Sequence, residues 1–455
     1  MSAGKLGDLS MEQLDEIYER VTKDAAEGRE QEVQAGLKPL LRALRQQESA
    51  ALCTVAIVGD GHLPEQLALD LLGQVYEAHR HNPKVAAFIG DTMEQARDID
   101  MLNDPPPEHP LFEKVIGTLV AFAAQLKGSE DERDVLKGLA TTARMMGRQH
   151  DRLAEDCYRR LIELDPDDSS AHYNLGLFCK TRGRFDEGVA ANRTAAELAD
   201  EPSEACQWNL GICATGAGLG EVALKVWREL GQKLKPGRFG LPEGGYPMVK
   251  VRLAERPLAE RTVAADNPGQ EETIWIERLS ACHGIVRSVL YQDLDVNYGD
   301  VILFDGAPIT YHTYGDKQVA VFPHLATLLR RNYRFFDFAG TQEQKGQLSD
   351  VSDELENDAL VYSHTENFVH LCATCWRDRE VDHEHKEKIT KHVITGRIAA
   401  PPELDVKELL RQLDAAISKR TDCHLYAPDL CEAAGLKERA EVETRRFNMI
   451  RSASE

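Results

Sequence analysis

From Ser10 to Leu234 the apolar residues recur every three to four positions, the spacing of one face of an α-helix. Ser10 to Gln13 form a capping-box pattern ahead of Leu14, Ile17, Tyr18 and Val21, which predicts a first helix. A second carries Val33, Leu37, Leu40, Leu41 and Leu44 on one face, and Pro39 inside it is expected to kink or split it. Ala50 to Val58 is apolar throughout and reads either as a buried helix or as a strand feeding Gly59-Asp60-Gly61. Only two glycines stand there, where a dinucleotide-binding turn needs three at set spacing. Pro64 suits the first turn of a helix running to about His81, with Leu67, Leu71, Leu72 and Val75 inward. The consecutive prolines of 103–110 forbid a helix and predict a stiff connector between an N-terminal helical region, 1–102, and further helices from Leu111 to Leu234.

At residue 235 the pattern changes. Seven Gly and Pro residues between Pro236 and Pro247 predict a hinge over 235–247. Beyond it, alternation replaces the helical period. Val249–Leu253, Thr273–Glu277, Ile285–Tyr291 and Val301–Phe304 predict strands of a curled antiparallel sheet. Gln318–Phe322, Tyr333–Phe338, Leu360–Ser363, Phe368–Trp376, His392–Ile398 and Cys423–Tyr426 predict more strands, and Leu325–Arg331 and Val406–Ser418 predict helices. The expected fold class is therefore multidomain: an α-helical solenoid over 111–234, then a C-terminal α+β domain with a mainly antiparallel sheet over 248–455, divisible into 248–315 and 316–455.

Inside the helical stretch the chain repeats itself. Ala171 to Cys179 and Cys206 to Cys213 share Asn-Leu-Gly, placing Gly176 and Gly211 35 residues apart, and Thr142 stands 34 residues before Gly176. Each copy continues into a second amphipathic segment: Arg152–Leu164, Phe185–Leu198 and Glu221–Leu234. These units, over roughly 131–234, resemble the tetratricopeptide repeat, a helix–turn–helix of about 34 residues. Leu175, Gly176, Gly188 and Ala195 fall at that family's packing positions, as do Leu210, Gly211 and Ala223 in the next copy and Ala154, Tyr158, Leu161 and Pro166 in the preceding one. A small residue in the first helix lets the second cross it closely, and several units must stack to bury their apolar faces.

The resemblance implies a partner-binding groove on the concave face, formed by the first helix of each unit. By position it would present Ala143, Tyr173, Asn174, Leu177, Lys180, Trp208, Asn209 and Ile212 to a protein partner, either a peptide segment or a helical domain. Asn174 and Asn209 would hydrogen-bond an extended backbone. A carboxylate clamp of the kind known in the family needs several cations on these helices, whereas only Lys180 comes close and Arg144 is one position off. In the second half, Glu272–Glu277 followed by Tyr298–Gly306 is faintly similar to small uncharacterised bacterial β-domains, which implies a small barrel-like sheet and no activity.

Charge narrows the function classes. The 455 residues carry 76 acidic and 54 basic side chains, a net charge of −22, which argues against nucleic acid, whose binding rests on Lys and Arg, and against a polybasic membrane anchor. The same charge suggests steering toward a basic partner. No run of apolar residues is long enough to span a membrane, and ten scattered cysteines without a small disulfide framework fit a reducing cytoplasm.

Candidate chemistry lies in the C-terminal half, in one cluster with His364, His370, His392, Cys423 and Cys431 as further possible ligands. Cys372 and Cys375 form a CxxC, and His383 and His385 follow at a spacing suited to zinc. Against this, the surrounding residues read as a strand, whose period of two would point the two thiols to opposite faces. No phosphate loop, nucleophile elbow or metalloprotease helix occurs, and adjacent Cys282 and His283 diverge on a strand. The reading is of a non-enzymatic interaction adaptor without cofactor. The rival is a metal-dependent or enzymatic C-terminal module to which the repeats recruit substrate.

Overall fold

Ser10 caps the first helix as its sequence predicts: its hydroxyl accepts from the Gln13 N–H at 3.2 Å, and Gln13 Oε1 accepts from the Ser10 N–H at 2.8 Å. In the computed structural model, which describes residues 8–96, 109–377 and 384–454, this helix α1 spans Met11–Ala26. Helix α2 (Glu30–Ala43) runs through Pro39 without a break, held by Val33, Leu37 and Leu40 buried along one side. The ambiguous apolar run is helix α3 (Glu48–Gly59). Its Ala50, Ala51, Thr54, Val55, Ile57 and Val58 are all buried, and a helix covered on most sides has no polar stripe from which to read its period. Helices α4 (Glu65–His79), α5 (Pro83–Thr92) and α6 (Pro110–Gln125) complete the N-terminal region. Of the 103–110 connector, only His109 and Pro110 lie within the described residues, and they open α6.

The repeats follow as helix pairs: α7 (Glu132–Met145) with α8 (Asp151–Leu164), α9 (Ser169–Thr181) with α10 (Phe185–Leu198), and α11 (Glu204–Gly216) with α12 (Gly220–Glu229). Asp168 and Ser203 cap α9 and α11 through their side chains. Gly183, in the α9–α10 turn, has φ +70°, and a β-carbon there would stand 2.7 Å from the Ala259 carbonyl oxygen. Glycine is thus required by backbone and neighbour alike. In the first pair, Thr142 is fully buried and donates to the carbonyls of Gly90 and Gly138 at 3.1 and 2.8 Å.

Packing divides the chain into two units that do not follow the compositional boundary: one of Met1–Thr273, Arg278–His283 and Leu303–Ala326, the other of Ile274–Glu277, Gly284–Ile302 and Thr327–Glu455. The change at 235–247 marks a switch of secondary structure, while several segments after it pack with the helices. The predicted hinge is itself a closed turn. Strands β1 (Lys235–Pro236) and β2 (Pro242–Glu243) pair antiparallel, and Arg238 bridges Glu243 at 2.7 Å. Strands β3 (Val249–Ala254), β4 (Glu271–Arg278), β5 (His283–Val286), β6 (Val301–Phe304), β7 (Thr310–Tyr314) and β8 (Lys317–Leu329) come next in the chain. β7 and β8 form a hairpin, and β3 lies parallel to β8, pairing Lys250 with Val321. The helix expected over Leu325–Arg331 is the end of β8: Pro323 to Ala326 are buried on consecutive positions, so apolar residues on both faces mimic a helical stripe.

The second unit is built on strands β9 (Arg334–Gln342), β10 (Leu360–Cys372), β11 (Lys388–Ala400) and β12 (His424–Tyr426), antiparallel in the order β10-β11-β9-β12. The two strands expected at 360–363 and 368–376 are the single strand β10, with a register shift between Ser363 and Thr365, and the short helix α13 (Ala373–Arg377). Alternate residues face opposite sides of the sheet. Phe338, Val361, Ile394 and Ile398 join a core with α14 (Val406–Ser418) and α15 (Pro428–Ala433), while Ala339, Val369, Leu371 and Val393 meet Ile450 of α16 (Lys437–Ser454). Helix α16 carries Lys437, Arg439, Arg445, Arg446 and Arg451, and its Arg439 is held by Asp414 and Glu443. The molecule is thus a helical N-terminal half followed by a sheet-containing C-terminal region with mostly antiparallel strands.

Candidate functional site

Helices α9 and α11 present their inner faces to a cavity of about 420 Å³. Tyr173, Leu177, Lys180, Trp208, Asn209 and Ile212, six of the residues expected on the concave face, line it. Asn174 is half-buried outside the lining, and Ala143 is fully buried in the helical core. At Ala143 the positional carry-over misses: α7 lies between α5, α6 and α8, and that side of it is interior.

The far wall of the cavity belongs to the same chain and the same unit. Asp305 to Ile309, between β6 and β7, cross in front of the repeat helices. Both ends of this segment are tied to β8: the Asp305 N–H donates to the Pro323 carbonyl at 3.2 Å and the Ile309 N–H to that of Val321 at 2.9 Å. Lys180, 4% exposed, donates to Asp305 Oδ2 at 2.7 Å and to Asn209 Oδ1 at 2.9 Å. Gly306 lies on the Trp208 ring, where a β-carbon would stand 3.1 Å from Cε3. Asn209, expected to read a partner's backbone, is engaged by Lys180, and Trp208 packs edge-on against the buried Trp227, with ring centroids 5.0 Å apart.

The lining is richer in cations than a reading of the first helices alone predicts. Arg144, Arg148, Lys180, Arg182 and Arg261 line the cavity with Glu94, Asp266 and Asp305. Arg182 is held by Asp151 at 2.7 Å and donates to the Arg144 carbonyl at 3.2 Å; Arg148 donates to the Thr181 carbonyl at 3.0 Å, and Arg144 pairs with Glu94. Arg148 and Arg182 sit at the turns that close each pair and Arg261 comes from beyond β3, positions a count along the first helices leaves out. The local sign is the reverse of the whole-chain −22, so net charge does not describe this site.

Other clusters divide into inert and open. Cys282 and His283 are both fully buried, and burial pushes the thiol up to about 12 and the imidazole down to about 4. Ser280 hydrogen-bonds His283 Nδ1, but Ser280 is also fully buried, so no substrate reaches this pair. His283 Nε2 has no partner among the described residues, and the charges facing the ring are Glu243 and Arg238. The folded protein therefore keeps His283 neutral where the unfolded chain protonates it, so its contribution is intact above about pH 6.5 and is lost as the pH falls toward 4. Acidification should remove about 3 kcal/mol through this residue. Thermal midpoints between pH 7.5 and 4.5 check this, with His283→Gln expected to flatten the profile relative to wild type.

In the second unit, Cys372, Cys375 and His385 lie together, with Cys375 Sγ 3.4 Å from His385 Nδ1. His383 lies outside the described residues. The opposite-face expectation for the two thiols does not hold, because the strand ends at Cys372 and Cys375 belongs to α13. Among the described residues, no helix is long and apolar enough to cross a membrane.

Residues 157–190 match the family model of the tetratricopeptide repeat, covering the second half of α8, all of α9 and the start of α10. No curated protein sequence matches the chain. Among solved structures, a crystal structure of MamA is 20% identical, covers 36% of this chain and 85% of its own length, and has a TM-score of 0.27. MamA AMB-1 is 16% identical over 49% of this chain and 92% of its own, at 0.27, and MamA MSR-1 is 19% identical over 39% and 90%, at 0.29. TM-scores this low say nothing about function.

Proposed function

We propose that this protein is an interaction adaptor whose tetratricopeptide repeats bind a short acidic segment of a protein partner in the cavity between α9, α11 and the 305–309 loop. The observation that carries the reading is the cavity itself. Its roughly 420 Å³ lies within the range of ligand pockets and suits a few side chains rather than a whole helix. Tyr173 and Trp208 are half-exposed beside it, aromatic residues of the kind that anchor interfaces. The basic lining favours acidic side chains or a terminal carboxylate, which Arg guanidinium groups recognise through paired hydrogen bonds. The C-terminal unit would serve a second binding or regulatory role.

Selection of displayed peptides on the full-length protein tests this. Acidic sequences should be enriched, and Tyr173→Ala should weaken a selected peptide about 30-fold, the size of a hot-spot truncation. A second reading, favoured by the Lys180–Asp305 contact, is that the repeats serve only to hold their own 305–309 segment. It prevails if no selected peptide depends on Tyr173.

A further inference from the structure

The CxxC of the second unit is shaped by a change of secondary structure within it. β10 ends at Cys372, and Ala373–Arg377 turn as α13, so the step of three residues to Cys375 brings its thiol back beside Cys372. The chain then returns antiparallel. Lys388 pairs with Cys372 at the start of β11, and the Ala373 N–H donates to the Glu387 carbonyl at 2.8 Å, which fixes this returning segment against the CxxC. His385 is thereby set over the thiols: one ligand atom from each of Cys372, Cys375 and His385 lies within 4.8 Å of the other two.

We propose that Cys372, Cys375 and His385 form a zinc-binding site, supplying three protein ligands from among the described residues. Tetrahedral zinc at about 2.3 Å from sulfur and about 2.0–2.1 Å from nitrogen sets an S···N separation of about 3.6 Å. The 3.4 Å between Cys375 Sγ and His385 Nδ1 is close to that spacing before any adjustment. Two sulfurs and an imidazole nitrogen are a donor set for zinc and not for magnesium or calcium, which take oxygen. Cys372 and Cys375 are half-buried and His385 is exposed, so an ion can enter from solvent. Seven of the other cysteines, from Cys157 to Cys431, are buried without such an arrangement among the described residues. The proposal is independent of partner binding by the repeats.

The test is metal titration of the reduced, chelator-treated full-length protein. Cobalt should bind one per chain with thiolate charge-transfer absorption and the visible bands of a tetrahedral site, and zinc should displace it. Cys372→Ser and Cys375→Ser should each weaken zinc about 100-fold in competition with a chromophoric chelator, since each removes one protein ligand. Cys53→Ser, remote in sequence and in the other unit, should change nothing. His385→Gln alters an exposed side chain and keeps the question answerable if a cysteine variant does not fold; it too should weaken zinc about 100-fold. Uptake that is absent, substoichiometric or indifferent to Cys375→Ser and His385→Gln would overturn the proposal. So would a Cys372–Cys375 disulfide in the isolated protein that yields no metal uptake after reduction.

Discussion

Lys180→Met should cost about 3–5 kcal/mol of stability, because it leaves Asp305 without its cation. The Lys180 side chain is 5% exposed and that of Asp305 14%, and their 2.7 Å contact joins the repeat face to the segment in front of it. Removing one partner of such a pair abandons the other charge in a poor solvent, whereas replacing both with apolar side chains of similar volume is often neutral. The double variant Lys180→Met/Asp305→Leu should therefore recover most of the loss. Urea denaturation followed by tryptophan fluorescence reads both, since Trp208 lies against Gly306. Equal midpoints for wild type and the single variant would show that this pair does not hold the 305–309 segment.

The second large effect is expected at Gly211. A β-carbon there would stand 2.6 Å from Cζ2 of Trp227, a fully buried ring whose Nε1 donates to Thr215 at 3.3 Å. The ring is fully buried and tied to the same helix through Thr215, so it has little room to retreat and Gly211→Val should destabilise by about 3 kcal/mol, the upper end of ordinary overpacking. Trp227→Ala, which empties the same space, should cost about 3–5 kcal/mol. Combining Gly211→Val with Trp227→Ala should cost less than the sum of the separate effects, because the added methyl groups occupy room the ring gave up. Thermal denaturation followed by circular dichroism measures the cycle, and strict additivity would mean that α11 and α12 do not meet at this point.

The repeat was legible because its signal is covalent: Asn-Leu-Gly recurs at a fixed spacing, and Gly176 and Gly211 mark where two helices touch. The helix Val406–Ser418 was equally plain, since Leu409, Leu410 and Leu413 sit on one buried face behind an Asp405 cap. Periodicity failed where both faces are covered, at α3 and at Pro323–Ala326. The concave-face residues were placed by analogy of position, which located Tyr173, Leu177 and Trp208 beside the cavity. That method carries no information about Asp305, Arg148 or Arg261, which arrive from distant parts of the chain. Likewise, a strand-like sequence around Cys372 hid the turn that follows it, because the residues from Ala373 to Trp376 contain neither Gly nor Pro to announce one.

The presence of the 305–309 segment on the repeat face sets the terms of any competition there. Because it is tethered, its occupancy does not fall on dilution, and its effective concentration is of the order of millimolar for a short connection. A free peptide that offered only a carboxylate for Lys180 would meet a competitor already at hand and would lose to it at ordinary cellular abundance. A successful partner must add contacts the tethered segment does not make, and Tyr173 and Leu177, which line the cavity, are placed to supply them. On the proposed function, the chain's own loop would act as a selectivity threshold, admitting partners by what they bring beyond charge.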